Sequence, residues 1–444
     1  MTSDSHRPAL RILCISPLFV PTADSEAFCS AKMVQALLER GVSLTVLFSS
    51  DVRKGGCTDN SRLWDSIRDI VIDVPQVSER DVLHSIVAAS QFQTPMFARW
   101  VDAVVATAKL LHRTARFDLV YTRSLPMVAH IAGFWCARKL RLPWVANIND
   151  PWEFNFFPGA NFPKFSAFKT HAYLFWLRRT LRNADLVTYP CEGLHGFHAK
   201  LAKLDHPAEI IPHIGSRPNR ASRNPNGCFC LVHAGKLGAS ELTKRPSKAL
   251  LLGLKAFVDT SAEASARTRL VLVGPEDKQT QSLIGELGLQ GNVQTVGRVN
   301  YEDSLDYIAS ASACILIEAC GDEGIFSPSK LADYLACGKP VLALSPRTGM
   351  AADLAARGEL VRIDHEPDAV RDAIAGLYSE FKLGTLSARK PSDRLMAQLR
   401  GDSVAEKFLT ACQILTSRHQ TDRCAAGLKG LRNAGSLFER SSRL

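Results

Sequence analysis

The segment Ser327-Pro328-Ser329-Lys330-Leu331-Ala332-Asp333-Tyr334-Leu335-Ala336-Cys337-Gly338-Lys339-Pro340-Val341 puts a lysine at the start of a short helix and a carboxylate nearly one turn further on. Ser327 can cap a helix, and Pro328 suits the first helical position, where a missing N–H does no harm. Leu331, Tyr334 and Leu335 recur at three and four residues and form one apolar stripe. Gly338 ends the helix and Pro340 opens a strand. The open N–H groups of a helix start carry partial positive charge and suit a phosphate. Lys330 adds a full charge there, and Asp333 is within reach of a ribose hydroxyl. Together these residues make half of a nucleotide-sugar site; the alternative is a surface helix packed on a sheet. Asparagine nearly matches aspartate in shape, so Asp333→Asn is expected to cost ligand affinity and leave the fold intact.

A second phosphate-binding element is His233-Ala234-Gly235-Lys236-Leu237-Gly238, which closes an apolar run. Gly235 and Gly238 let the backbone approach a ligand closely at the carboxyl end of a strand. Lys236, Lys244 and Arg245 add cations, and an arginine fork donates two hydrogen bonds at once to a diphosphate. A solvated basic loop is the alternative. Val273-Gly274-Pro275-Glu276 ends another apolar run, and so does Asn147-Ile148-Asn149-Asp150-Pro151-Trp152. A carboxylate at Asp150 could hydrogen-bond a sugar hydroxyl or cap a helix. His233 falls on the cleft edge by position, while His130 lies inside an apolar helix and is expected in the core. No carboxylate pair of Asp-x-Asp type is seen, so no metal and no cofactor are expected beyond a nucleotide-bearing substrate.

The elements that must hold these groups alternate. Arg11 to Pro17 is a short apolar strand, Ser30 to Arg40 a helix stopped by Gly41, and Val42 to Phe48 the next strand. This is a βαβ unit and implies a parallel sheet. Further strands are expected at Asp118 to Thr122, Trp144 to Ile148, Asp185 to Tyr189 and Glu209 to Ile211, with a helix at Val128 to Leu140. Pro212 to Gly227, rich in proline, glycine and polar residues, is a linker. Beyond it the rhythm restarts with strands at Phe229 to His233, Arg269 to Val273, Asn292 to Val296, Ala313 to Ile317, Val341 to Leu344 and Leu360 to Ile363. Helices are expected around Pro246 to Val258, at Tyr301 to Ala311, around Lys330 and from Pro367 to Phe381, with a last one from Ser392 to Ser417. The fold class is therefore α/β, with two doubly wound, Rossmann-like parallel-sheet domains joined by a short linker. The expected division is 1–215, 216–390, a terminal helix within 391–417, and a basic, loosely ordered tail at 418–444.

With 444 residues, 46% hydrophobic and 22% charged, the chain fits an ordinary globular protein of two or more domains. Twelve cysteines show no zinc-ribbon spacing, and many sit in apolar runs, as reduced thiols of a cytoplasmic protein do. Met1 to Leu10 lacks an apolar signal core, and no run of apolar residues is long enough to span a membrane. The net charge of +10 is spread among mixed charges without an arginine-rich helix or RNA-binding signature. It argues for anionic substrates or an anionic membrane leaflet rather than nucleic acid.

The pattern P-S-K-x-x-D-Y-x-A-x-G-K-P-V at Pro328 to Val341 resembles the donor-binding motif of family 4 glycosyltransferases, which have the GT-B fold and retain anomeric configuration. That the two domains face across a cleft is what this resemblance implies. The resemblance is closest to the bacterial branch that builds surface polysaccharides and lipopolysaccharide. It implies donor contacts from Gly235, Lys236, Arg245, Gly274, Ser327, Ser329, Lys330 and Asp333, with Arg245 gripping the diphosphate ahead of Lys236 and Lys244. Val296, Gly297 and Arg298 match the segment that contacts the base. The family motif carries two glutamates with seven residues between them; Asp333 stands at the second place, while the first falls on Ile325, with Glu323 two residues earlier. The first domain should bind the acceptor. Asp150 and Trp152 lie in what resembles the Asp-Pro-Trp signature of this branch, and Ser25 and Glu26 lie in the loop that is glycine-rich in many relatives. Catalytic roles fall to Asp150, Arg245 and Lys330. Ile211 to Gly215 resembles the hinge, and the terminal helix should cross back to the first domain.

The expected activity is transfer of a sugar from a nucleotide-diphosphate sugar to a glycan or lipid-linked acceptor, independent of metal, in the cytoplasm or weakly held at the inner face of the membrane. Two other readings stand beside it. A nucleotide-sugar 2-epimerase of the same fold would draw on Asp150, Glu323 and His233. A non-catalytic nucleotide-binding relative would account for the missing first glutamate.

Overall fold

The computed structural model describes residues 10–53, 57–59, 61–75, 95–151, 167–218, 227–237, 246–321, 323–419 and 421. Among these, seven strands form the first sheet: β1 (Arg11–Ile15), β2 (Ser43–Phe48), β3 (Val71–Asp73), β4 (Leu119–Ser124), β5 (Trp144–Ile148), β6 (Leu186–Tyr189) and β7 (Ala208–Ile210). All pairs are parallel, in the order β3-β2-β1-β4-β5-β6-β7. The second sheet holds β8 (Phe229–Ala234), β9 (Thr268–Val273), β10 (Val293–Gly297), β11 (Ala313–Ile317), β12 (Val341–Leu344) and β13 (Val361–Ile363). It is also parallel throughout, in the order β10-β9-β8-β11-β12-β13.

Continuous apolar runs are what a sheet covered on both faces requires. In β1, Leu13 and Ile15 turn to one face and Ile12 and Cys14 to the other, and all four are fully buried. The helices Pro95–Ala115, Val128–Leu140 and Ala167–Asn183 cover the first face, and the helix Ser25–Glu39 covers the second. In each sheet the strand order reverses beside the first strand, between β1 and β4 and between β8 and β11. Ligands of such sheets bind beyond the carboxyl ends of strands at this switch point. There β8 delivers Gly235, and β5, one strand beyond β4, delivers Asn149 and Asp150 to the same sheet edge.

Two local expectations are corrected. The Lys330 helix spans Ser329–Ala336, one residue later than a Ser327 cap would give, with Pro328 in the cap position and no side-chain cap. Ser327 Oγ instead points to Met350 Sδ at 3.1 Å. The terminal helix is broken into Asp393–Gln398 and a second helix over 401–419. The first piece packs on the second domain through Leu395, and Leu399 at its C-cap is buried in the same cluster. The second places Val404, Ala405, Phe408, Leu409 and Cys412 in the core of the first domain, so the chain does cross back.

Candidate functional site

A cleft of about 490 Å³ opens between the facing sheet edges, lined from both domains. On the second-domain side, β8 is followed directly by Gly235 and β9 by Gly274, both with positive φ (115° and 149°). Gly235 N donates to Val273 O at 2.7 Å, and Gly274 N to Gly297 O at 2.9 Å. The helix 329–336 is pinned beside them: Ala234 N donates to Tyr334 Oη at 2.8 Å. Its first turn, uncapped by any side chain, faces the cleft through Ser327, Pro328, Ser329 and Lys330. The Lys330 ammonium lies against Gly235, where a Cβ would come within 2.6 Å of Nζ. It also lies 3.4 Å from His233 Nε2. His233 is fully buried with its Nδ1 3.0 Å from Ile315 O, a geometry in which Nδ1–H donates and Nε2 accepts from Lys330. Exposed Lys236 and Arg298 complete a set of three cations on this side. A helix start, two glycine turns and three cations suit a diphosphate.

The first-domain side is built by the start of the helix 25–39 and the end of β5. Asp24 caps that helix by accepting from Glu26 N at 3.0 Å. Ser25 is exposed at the cleft and Asp150 half-buried in it. Glu26 lines the cleft yet is only 6% exposed, and its Oε1 accepts from Asn149 Nδ2. Burial, followed by Cys29 and Asp150, pushes the Glu26 carboxyl well above its ordinary range against the pull of Arg123. His213, from the linker, is buried here, and burial with Lys32 and Arg123 lowers its imidazole to about 4.

Asp333 lines the cleft where expected, but its carboxylate is already engaged. Its Oδ1 accepts from Lys32 Nζ at 3.1 Å, Tyr301 Oη at 2.9 Å and Ser216 N at 2.8 Å. The Lys32 and Asp333 side chains are 5% and 8% exposed. Burial works against the Lys32 charge, but Asp333 and then Tyr301 outweigh it and raise its pKa. The expectation that Asp333→Asn would leave the fold intact is therefore corrected: this carboxylate is the counter-ion of a buried lysine.

Of the residues singled out from sequence, Ser25, Glu26, Asp150, Gly235, Lys236, Gly274, Ser327, Ser329, Lys330 and Asp333 all line this one cleft. Trp152 and Arg245, with Gly238 and Lys244, lie outside the described residues. At the place of the missing first glutamate, Ile325 is buried, and its carbonyl lies 3.6 Å from Cys191 Sγ. Glu323 is exposed. Sequence reasoning missed Lys32, Phe28, Asp59, Asn149 and Tyr301 as site residues; all five line the cleft.

Residues 27–212 match the family described as a glycosyl transferase 4-like domain, and residues 235–380 match glycosyl transferases group 1. Among solved structures, the chain is similar to sucrose-phosphate synthase from Thermosynechococcus elongatus, with 15% identity and a TM-score of 0.67 over 92% of this chain and 100% of that one. HepE from Anabaena, solved in complex with UDP, gives 15% identity and a TM-score of 0.63 over 91% and 100%. The lipopolysaccharide outer core galactosyltransferase WaaB gives 14% and 0.55 over 91% and 99%. At such identities the likeness carries the fold. No curated protein matches the sequence.

Proposed function

The chain belongs to the family 4 glycosyltransferases of the GT-B fold, and from that premise we propose that it moves a hexosyl unit from a nucleoside-diphosphate sugar to a glycan or lipid-linked acceptor with retention of configuration. One observation carries this reading. The uncapped start of the helix 329–336, Lys330 and the Gly235–Gly274 pair converge on one side of a cleft whose other side presents Ser25 and Asp150. The fold neighbour HepE was solved with UDP, which supports a nucleotide-bearing donor, and WaaB is described as a lipopolysaccharide outer core galactosyltransferase, which supports the transfer of a hexosyl unit.

In this reading the diphosphate lies across Gly235 and Gly274 with Lys236 and Lys330 at its oxygens. Asp333 addresses the ribose, and Arg298 lies at the edge of the nucleoside. Loss of the diphosphate leaves negative charge on the leaving oxygen. Cations and helix N–H groups already in place stabilise that charge without reorganisation. The acceptor hydroxyl attacks from the face the diphosphate leaves; its proton passes to the departing phosphate oxygen as the new C–O bond forms. Such a reaction depends on positioning, which the two-sided cleft supplies. Asp150 would hold a hydroxyl of the transferred sugar or of the acceptor.

Among the described residues no helix is long and apolar enough to cross a membrane. A lipid-linked acceptor would therefore be reached by weak surface contact, for which the cations of the 418–444 tail are the proposed source. The test is a thermal-shift panel of nucleoside diphosphates, followed by turnover of a labelled nucleotide sugar with and without a glycan acceptor and NMR of the product anomer. Binding to the folded form raises stability with the logarithm of ligand concentration. A product of inverted configuration would remove the retaining assignment, and epimerised donor without transfer would overturn the reading as a whole.

A further inference from the structure

The donor side of the cleft contains a side chain that comes from the other domain. Lys32, on the helix 25–39, places its Nζ 3.1 Å from Asp333 Oδ1 and 3.1 Å from Tyr301 Oη. Phe28, one turn earlier on the same helix, stacks on the Tyr301 ring with centroids 4.8 Å apart. Asp59 of the first domain accepts from Tyr301 N at 2.7 Å. Ser216 of the linker donates its N–H to Asp333 Oδ1. Both domains and the segment joining them thus meet at a single carboxylate oxygen.

A carboxylate oxygen offers about two lone pairs, and Oδ1 already takes three donors. A further donor, such as a ribose hydroxyl, has to be taken by Oδ2. Stability by itself is a weak reason for this arrangement. A buried ion pair is commonly no better for the fold than packed apolar side chains of the same volume, although removing one partner is costly. The pair also sits in the cleft wall rather than in either core.

We propose that Lys32 is a positioning residue of the donor site: it fixes the Asp333 carboxylate so that Oδ2 is presented to the ribose hydroxyls of a nucleoside diphosphate, and donor recognition in the second domain is completed by a side chain of the first. This rests on the ribose contact assigned to Asp333 above. It adds that nucleotide selectivity requires the two domains to be closed on each other. In an open arrangement, without Lys32, Asp333 keeps Tyr301 and Ser216 but loses its counter-ion and one of the donors that fix its rotamer.

The test uses the full chain and the ribonucleoside diphosphate that stabilises it most among UDP, GDP, ADP and CDP, compared with the 2′-deoxy and 3′-deoxy forms of that nucleotide by calorimetric titration. Wild type should prefer the ribose form by about tenfold, as one charge-assisted hydrogen bond allows. Lys32→Met should bring the ratio to within about twofold, and Lys32→Arg should restore part of it. A purely structural role would weaken both nucleotides equally and leave the ratio where it was; that result in a folded Lys32→Met protein overturns the proposal. If Lys32→Met does not fold, Lys32→Gln serves instead, because it removes the counter-charge from Asp333 and keeps a polar side chain at the buried position. A ratio as large as that of wild type in that variant is equally fatal. Wild type that binds the nucleotide without preferring ribose overturns this inference alone, whereas wild type that binds none of the four overturns the donor reading beneath it.

Discussion

Gly274 and Gly235 stand back to back at the ends of neighbouring strands, so near that a Cβ on Gly274 would fall 2.4 Å from the carbonyl oxygen of Gly235. The obstacle at Gly274 is backbone, which cannot swing aside, and its φ of 149° is strained for any other residue. At Gly235 the obstacle is the tip of Lys330, which can. Gly274→Ala should therefore lower the melting temperature sharply, with about 1–3 kcal/mol from the backbone conformation alone and more from the clash. Gly235→Ala should pay a similar backbone strain, keep the fold, and lose nucleotide affinity as the lysine is pushed out. Equal melting temperatures for the two variants would contradict this.

Asp333→Asn leaves Lys32 charged and without its counter-ion in a site where both side chains are less than a tenth exposed. Breaking one side of such a pair costs about 3–5 kcal/mol. The variant should melt well below wild type, and adding Lys32→Met should recover much of the loss without recovering ribose selectivity. A single variant as stable as wild type would show that the pair is not closed in solution.

Acid should unfold the protein early. His130 and His198 are fully buried, and burial first of all pulls each imidazole down to about 3. His213 falls to about 4 for the same leading reason. Unfolded, each takes up a proton near 6.5. These depressed bases leave stability intact above about pH 6.5 and remove it as pH falls toward 4, at about 1.4 kcal/mol per pH unit for each imidazole that stays neutral when folded. Urea midpoints measured from pH 7.5 to 4.5 should fall accordingly, and His198→Gln should flatten the slope. A level profile across that range excludes the linkage.

Turnover should survive EDTA. Lys236, Lys330 and Arg298 line the donor side beside an uncapped helix start, and these supply the charge that a divalent ion would otherwise bring. Complete loss of transfer in chelator, restored by magnesium or manganese, would contradict the metal-independent reading.

The tail should bind anionic membrane weakly. Arg418, Arg423, Lys429, Arg432, Arg440 and Arg443 are set against only Asp422 and Glu439. Each cation contributes about 1 kcal/mol at most near an anionic surface, and salt screens it. Full-length protein should co-sediment with phosphatidylglycerol vesicles at low salt and be released at high salt. A chain ending at Ser417 that pelleted equally well would rule the tail out.

The strands and the motif were legible because their signals are local. Trp144 to Ile148 and Ala313 to Ile317 read as apolar runs with the observed ends, and the helix Val128–Leu140 read from its stripe and its flanks. The edge strand Val71–Asp73 is three residues long and only partly buried, too short to carry a period. The helix Ala167–Asn183 buries Tyr173, Trp176 and Leu177 but follows an aromatic stretch that masks its start. The donor half of the site was legible because the resemblance and the helix-start chemistry occupy a single stretch of chain. The Lys32–Asp333 pair joins residues 301 positions apart. Lys32 looks in sequence like any polar position on an amphipathic helix; only the meeting of two domains gives it a partner.

The helix over 401–419 has a consequence for how the chain is made. Phe408, fully buried, packs on Tyr121 with ring centroids 4.7 Å apart, and Val404, Ala405 and Cys412 lie in the same cluster as Ile12, Cys14 and Val34. A nascent chain therefore emerges from the ribosome with this face of its first sheet only partly covered, by the helix 25–39, and keeps the place of Phe408 open throughout synthesis of the whole second domain. That face is completed only when the helix over 401–419 arrives, so the first domain finishes folding after the second has been made. In the interval it presents bare aromatic and aliphatic surface, on which a chaperone would have its longest opportunity to act.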